Sequence, residues 1–246
     1  MFNTQKNPAN PENRPIPASD ITLPLLRLDA VRYGYREAGV WREILRGVDL
    51  VVESGEQIAL VGLSGSGKSS LLHLLGGLDV PSSGQITFNG TDLVGLGEPA
   101  RSLWRRRHAG MIYQFFNLIP TLSVLENVLL PLELNGMMGR AGRKQALDLL
   151  AEVGLADRAG AYPDRLSGGE QQRIAIVRAL VHEPQLVLAD EPTGNLDFAT
   201  GEKVLDLLDR LVRALGRTLM LVTHSVEVAR RADRVIRLVD GRLHGA

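Results

Sequence analysis

The segment Gln57–Val61 is a short run with four apolar residues, and it passes without a break into Gly62-Leu63-Ser64-Gly65-Ser66-Gly67-Lys68-Ser69-Ser70. A helix-forming stretch, Lys68–Leu75, follows at once. Strand, glycine loop and helix in direct succession leave few ways to fold. Gly62, Gly67, Lys68 and Ser69 satisfy the pattern G-x-x-x-x-G-K-[ST]. Glycines there let successive backbone N–H groups curl round an anion with no Cβ in the way, and the following helix points its positive end at it. The pattern is that of a phosphate-binding loop. Lys68 is placed to meet the outer phosphates of a nucleotide and Ser69 to present its hydroxyl to Mg²⁺, with Ser64, Gly65, Ser66 and Ser70 completing the cradle.

The rest of the chain fits an α/β fold around that unit. Apolar residues in LPLLRLDAVRY, from Leu23, and in ILRGVDLVVE predict short antiparallel strands closed by a turn at Ser54-Gly55. Further strands are expected at Gln85–Phe88, Gly110–Tyr113, Leu186–Ala189, Leu219–Val222 and Val235–Val239. Between the last three lie helices expected at Thr200–Leu215 and Ser225–Arg231, the alternation of a mostly parallel sheet covered by helices. A helix is also expected near Glu98–Arg107. From Ser123 to Leu180 only helices can be placed, near Val124–Leu134, near Arg143–Val153 and from just after Ser167, so this part reads as a helical insert over about 116–168. Residues 1–22 hold Pro8, Pro11, Pro15 and Pro17 among four asparagines and show no apolar period, the composition of a disordered tail; the ordered domain is expected over 23–246.

Composition excludes several classes. With 28 basic and 28 acidic residues the formal net charge is zero, which argues against a non-specific grip on nucleic acid. The short basic runs at Arg105–Arg107 and Arg230–Arg237 read as solvated helix ends or faces. The longest uncharged stretch, Ala109 to Leu125, carries Gln114, Asn117, Pro120, Thr121 and Ser123 and does not suit a bilayer span. No secretory leader is seen at the start and there is no cysteine, so a cytosolic location is expected.

A second chemical signal is LVLADEP, in which apolar residues end in the paired carboxylates Asp190 and Glu191. Carboxylates at the end of a buried strand call for a cation. Asp190 is the expected Mg²⁺ partner, and Glu191 the general base that polarises an attacking water.

With these two elements in place, LSGGEQQR (Leu166 to Arg173) resembles the signature motif of the ATP-binding-cassette ATPases. The motif order agrees: Gln114 in YQFFNLIP is similar to the family's glutamine loop, Gly194-Asn195-Leu196-Asp197 to its D-loop, and His224 in LVTHS to its switch histidine. The resemblance covers about Leu23 to Ala246. It implies a P-loop NTPase core of RecA-like type, ATP and Mg²⁺ as ligands, and a head-to-tail homodimer. In that dimer, ATP on Lys68 of one copy is covered by Ser167, Gly168 and Gly169 of the other, with Asp197 at the same junction. Glu191, His224 and Gln114 become the catalytic set, and Ser69, Gln114 and Asp190 the Mg²⁺ set. An aromatic ring stacks on adenine in this family; Tyr33, Tyr35 and Trp41 are candidates, and Tyr35 keeps the family-like spacing to Leu45. Glu170 stands where many members have glutamine, and Ser70 where threonine is commoner.

Within the family, SGSGKSSLLHLLGGLDVPSSG, YQFFNLIPTLSVLENVLLPLEL and LADEPTGNLD are most similar to the lipoprotein-release and macrolide-export branch. That implies a permease partner with a large extracytoplasmic domain and a peripheral position on the cytoplasmic side of the inner membrane. The alternative, a soluble cassette protein of translation or DNA maintenance, fits less well: this chain has one cassette and no long coiled-coil insertion between Gln114 and Ser167.

Overall fold

The computed structural model describes residues 23–245, so the proline-rich segment expected to be disordered lies outside the described residues. Strands β1 (Leu26–Glu37) and β2 (Val40–Val52) form one long hairpin instead of separate short strands. With β4 (Ser83–Phe88) and β5 (Thr91–Asp92) they make a four-stranded antiparallel sheet in the order β2-β1-β4-β5. The second sheet has six strands, β10-β9-β3-β8-β7-β6. It comprises β3 (Gln57–Val61), β6 (Ala109–Ile112), β7 (Leu186–Asp190), β8 (Thr218–Thr223), β9 (Arg234–Val239) and β10 (Arg242–Gly245). All its pairings are parallel except the edge pair of β9 and β10.

Helices α1 (Lys68–Leu75), α2 (Glu98–His108), α3 (Val124–Leu134), α4 (Arg140–Glu152), α5 (Gly168–Leu180), α6 (Phe198–Ala214) and the single turn α7 (Val226–Ala229) complete the chain. Between α4 and α5 the chain runs through two 3₁₀ turns, Ala156–Arg158 and Pro163–Arg165. The central parallel strands β3, β6, β7 and β8 are buried on both faces, whereas β9 exposes Arg237 and Val239. Leu186 and Leu188 of β7 join α1 and the antiparallel sheet, whereas Val187 and Ala189 face α5 and α6. Each such leucine, removed from water, contributes roughly 1.5–3 kcal/mol. The consequence for function lies at one edge: because β3, β6, β7 and β8 run parallel, the loops leaving their carboxyl ends gather together.

Candidate active site

The loop after β3 wraps the amino end of α1. Its Gly67 has φ 101°, and a Cβ there would stand 2.6 Å from Ile44 Cγ2; a Cβ on Gly62 would stand 2.6 Å from the Leu238 carbonyl oxygen. Neither position has room for a side chain. The buried Lys68 ammonium donates to the carbonyls of Gly62 (3.0 Å) and Leu63 (2.9 Å), which spans it across the loop. The amino end of α1 has no side-chain cap, and Ser66 Oγ is buried without a partner. Backbone donors, a third ammonium hydrogen and an orphaned hydroxyl suit a polyphosphate.

The opposite wall comes from β7 and β8. Asp190 ends β7, and Glu191 follows with φ 47°, in the left-handed region that non-glycine residues seldom adopt. Its N–H donates to Val222 O (3.0 Å) and its carbonyl accepts from Gly194 N (3.0 Å), so the kink is held from both sides. Glu191 Oε1 lies 2.9 Å from His224 Nδ1, the histidine being far more exposed (73% against 18%). With Glu191 ionised, the imidazole carries the proton between them.

Gln114, just beyond β6, offers its Nε2 to Asn195 Oδ1 (3.4 Å), and Asn195 Nδ2 donates to the Gln114 carbonyl (2.9 Å). The loop after β6 and the segment Gly194–Asp197 are thereby joined. Tyr35, Ser64, Gly65, Gly67, Lys68, Ser69, Ser70, Gln114, Asp190, Glu191 and His224 all line one cleft of about 490 Å³. Ser69, Asp190 and Gln114 bring a hydroxyl, a carboxylate and an amide to it, oxygen donors that fit Mg²⁺ shared with a phosphate.

Of the aromatic candidates, Tyr35 lines the cleft. Tyr33 instead packs on the core and donates its phenol to Asp79; burial, then that hydrogen bond, pushes the phenol pKa up to about 12. Trp41 lies alongside Gly34 and is half exposed.

Ser167, Gly168 and Gly169 are not on this cleft. They open α5, where Ser167 accepts from Glu170 N (3.4 Å) while its own N–H and hydroxyl donate to Glu170 Oε2 (2.8 and 2.7 Å). Those bonds hold the Glu170 carboxyl below its ordinary pKa. A Cβ on Gly168 would meet Leu196 and Phe116, so the signature packs against the D-loop and the glutamine loop. Asp197 caps α6 through Thr200 N (3.0 Å), which lowers its pKa, and it lines a neighbouring cleft with Glu191 and His224.

Residues 45–194 match the family described as ABC transporter. The chain is 51% identical over 220 residues to an uncharacterized ABC transporter ATP-binding protein of Mycobacterium tuberculosis, covering 89% of each. It is equally similar, at 51% over 221 residues, to the lipoprotein-releasing system ATP-binding protein LolD of Ruegeria pomeroyi, covering 89% of this chain and 97% of that one. A solved dimer of the cassette MJ0796 bound to ADP and Pi superposes with a TM-score of 0.81 at 39% identity, over 89% of this chain and 98% of that one. This chain belongs to the ABC transporter family. It is an ATP-binding, ATP-hydrolysing subunit.

Three features of the cassette's site were not singled out from sequence. Ile44 and Val222 line the cleft, and only the fold brings β2 and β8 there. Asn195 turns its amide to Gln114, a pairing that D-loop spacing alone does not announce. Arg178 of α5 donates to the carbonyls of Phe116 (3.0 Å) and Asn117 (2.6 Å), pinning the segment after Gln114; burial lowers its pKa. A groove of about 440 Å³ lies between α2, β6, α3 and α5, lined by Arg105, Arg106, Met111, Leu130, Leu134 and His182. Among the described residues no helix is long and apolar enough to cross a membrane.

Proposed function

We propose that the cassette works as a head-to-tail homodimer that drives a membrane permease of the lipoprotein-release or macrolide-export type. Its partner carries a large extracytoplasmic domain, and the cassette sits on the cytoplasmic side of the inner membrane. The observation that carries the ATPase chemistry is the 2.9 Å contact of Glu191 with His224 on the cleft that also holds Lys68 and Asp190. Lys68, released from the loop carbonyls, neutralises the outer phosphates of ATP while the loop amides hold them in place. Tyr35 stacks on adenine. Ser69, Asp190 and Gln114 are the residues that hold Mg²⁺, which when bound offsets phosphate charge. Glu191 takes the proton of the attacking water, and His224 holds that carboxylate in line and contacts the γ-phosphate.

Lys68 and Ser167 belong to different surfaces of one copy. A second copy, turned head to tail, would set its Ser167 hydroxyl, the Gly168 and Gly169 amides and Asp197 over the first copy's nucleotide. Support for this reading comes from MJ0796, solved as a dimer with ADP and Pi. The branch assignment rests on relatives named LolD at about half identity. The segment 116–168 is the part that passes closure to the permease, and Arg178 ties its start to α5.

The test uses two variants of the full chain. Lys68→Ala is expected to lose ATP binding. Glu191→Gln is expected to keep it, to turn over about 10²–10⁴-fold more slowly, and to elute as a dimer with ATP and Mg²⁺. Normal turnover by Glu191→Gln would remove the role given to that residue. Recovering the trapped variant from solubilised membranes with a permease supports the transport reading; recovering it with ribosomes or DNA-repair proteins overturns it.

A further inference from the structure

The antiparallel sheet ends before its longest hairpin does. Strand β1 pairs with β4 only as far as Arg32, opposite Ser83, and Ser82 N closes that edge on Arg32 O (2.8 Å). From Tyr33 onward, β1 is bonded to β2 alone, and a two-stranded ribbon of this kind is marginal in water unless something ties it down. The ribbon carries Tyr35, which lines the nucleotide cleft, and ends at the turn Ala38-Gly39.

Where the ribbon leaves the sheet, the Tyr33 hydroxyl donates to Asp79 Oδ2. Asp79 follows the end of α1, the helix whose amino end forms the phosphate cradle, and its other oxygen takes the Val80 N–H (3.0 Å), which fixes the carboxylate. Tyr33 and Tyr35 are two residues apart on one strand, so they share a face. On β2 the extra residue Ile44, between the partners of Tyr33 and Gly34, lies directly against Gly67. The ribbon thus has two attachments to the phosphate-binding unit. One is an apolar contact at the front of α1, and the other is a hydrogen bond at its back.

We propose that Tyr33 and Asp79 are positioning residues for nucleotide binding: their hydrogen bond sets the ribbon against α1 and so holds Tyr35 at stacking distance from a base bound with its phosphates on Lys68. This inference rests on the reading of Tyr35 as the base-stacking residue. It gives Tyr33, the aromatic that does not reach the cleft, a task in base recognition. The phenol is a protonated donor across the physiological range at its ordinary pKa, and burial moves it further in that direction.

A hydrogen bond of this class is worth about 3- to 10-fold in an equilibrium. Tyr33→Phe and Asp79→Ala in the full chain are each expected to weaken ATP binding by that factor, and the pair together by no more than either alone. Asp79→Asn retains an acceptor oxygen and should stay close to the parent. Inorganic triphosphate, which has no base, should bind all variants equally, and kcat at saturating ATP should not change. General loosening would weaken both ligands, so equal losses for ATP and triphosphate overturn the proposal, as does unchanged ATP affinity in Tyr33→Phe. Tyr35→Ala separates the underlying reading: if it weakens ATP but Tyr33→Phe does not, only the positioning role falls. If Tyr35→Ala leaves ATP binding intact, the stacking assignment fails and takes this inference with it.

Discussion

Single residues at this site are chosen as much for the space they leave as for the groups they bring. At Gly62 the neighbour of a new Cβ would be the Leu238 backbone oxygen at 2.6 Å, which cannot swing aside as a flexible side chain can. Gly62→Ala is therefore expected to destabilise the cassette by about 1–3 kcal/mol and to weaken ATP binding, because relief comes only by moving the loop or β9. Chemical denaturation and an ATP titration check both parts; a parent-like stability would mean the strand gives way freely. Glu191 presents the converse case. Its φ of 47° costs of order 1 kcal/mol or more, and the bond from Glu191 N to Val222 O holds it there. Gly62, Lys68 and Glu191 stand out in the sequence because the chemistry they suggest is local. The choice among Tyr33, Tyr35 and Trp41 depends on where β1 parts from β4, a matter of register between strands far apart in the chain.

At the scale of elements, the cassette contains the same device twice. Ser123 with Glu126 opens α3 and Ser167 with Glu170 opens α5, both as full capping boxes. Serine to alanine at either should cost about 1 kcal/mol of stability, since each removes a cap from the helix start. Only Ser167→Ala should also lower ATP turnover and ATP-driven dimer formation, because only that hydroxyl is assigned to a nucleotide. Equal ATPase loss in Ser123→Ala and Ser167→Ala, at matched stability, would reduce the signature serine to a cap. The elements easiest to read were those whose signal is internal: β3 with its loop and α1, the buried run of β7, and α5 behind its cap. The 3₁₀ turns and β10 escaped because each is short and is defined by what it packs against. The expected helix Ser225–Arg231 shrinks to Val226–Ala229 where Arg231 turns to Glu202 and Asp206, pairings that lie on α6. The long hairpin looked like separate short strands because its outer end is exposed and lacks an apolar alternation.

For the molecule as a whole, zero net charge makes local burial, more than global repulsion, the source of its pH response. His182 lies at the end of α5 in the groove beneath α2 and α3. Its Nε2 is 3.3 Å from Ala109 O, so this nitrogen carries the hydrogen and Nδ1 is left buried without a partner. Burial holds its pKa below the ordinary histidine value, and the bond to Ala109 only partly offsets that. His108 is lowered in the same way, again chiefly by burial. The native state therefore binds fewer protons than the unfolded chain once pH falls below about 6.5, the histidine value of the unfolded state. Stability should be complete above that value and should decline as pH drops toward the depressed native pKa, by at most about 1.4 kcal/mol per pH unit for each histidine. Urea midpoints of the parent and of His182→Gln, measured from pH 7.5 to pH 5.5, test this. The variant should start less stable or equal at pH 7.5 and lose stability with a shallower slope; parallel slopes would show that protonation of His182 is not what weakens the groove in acid.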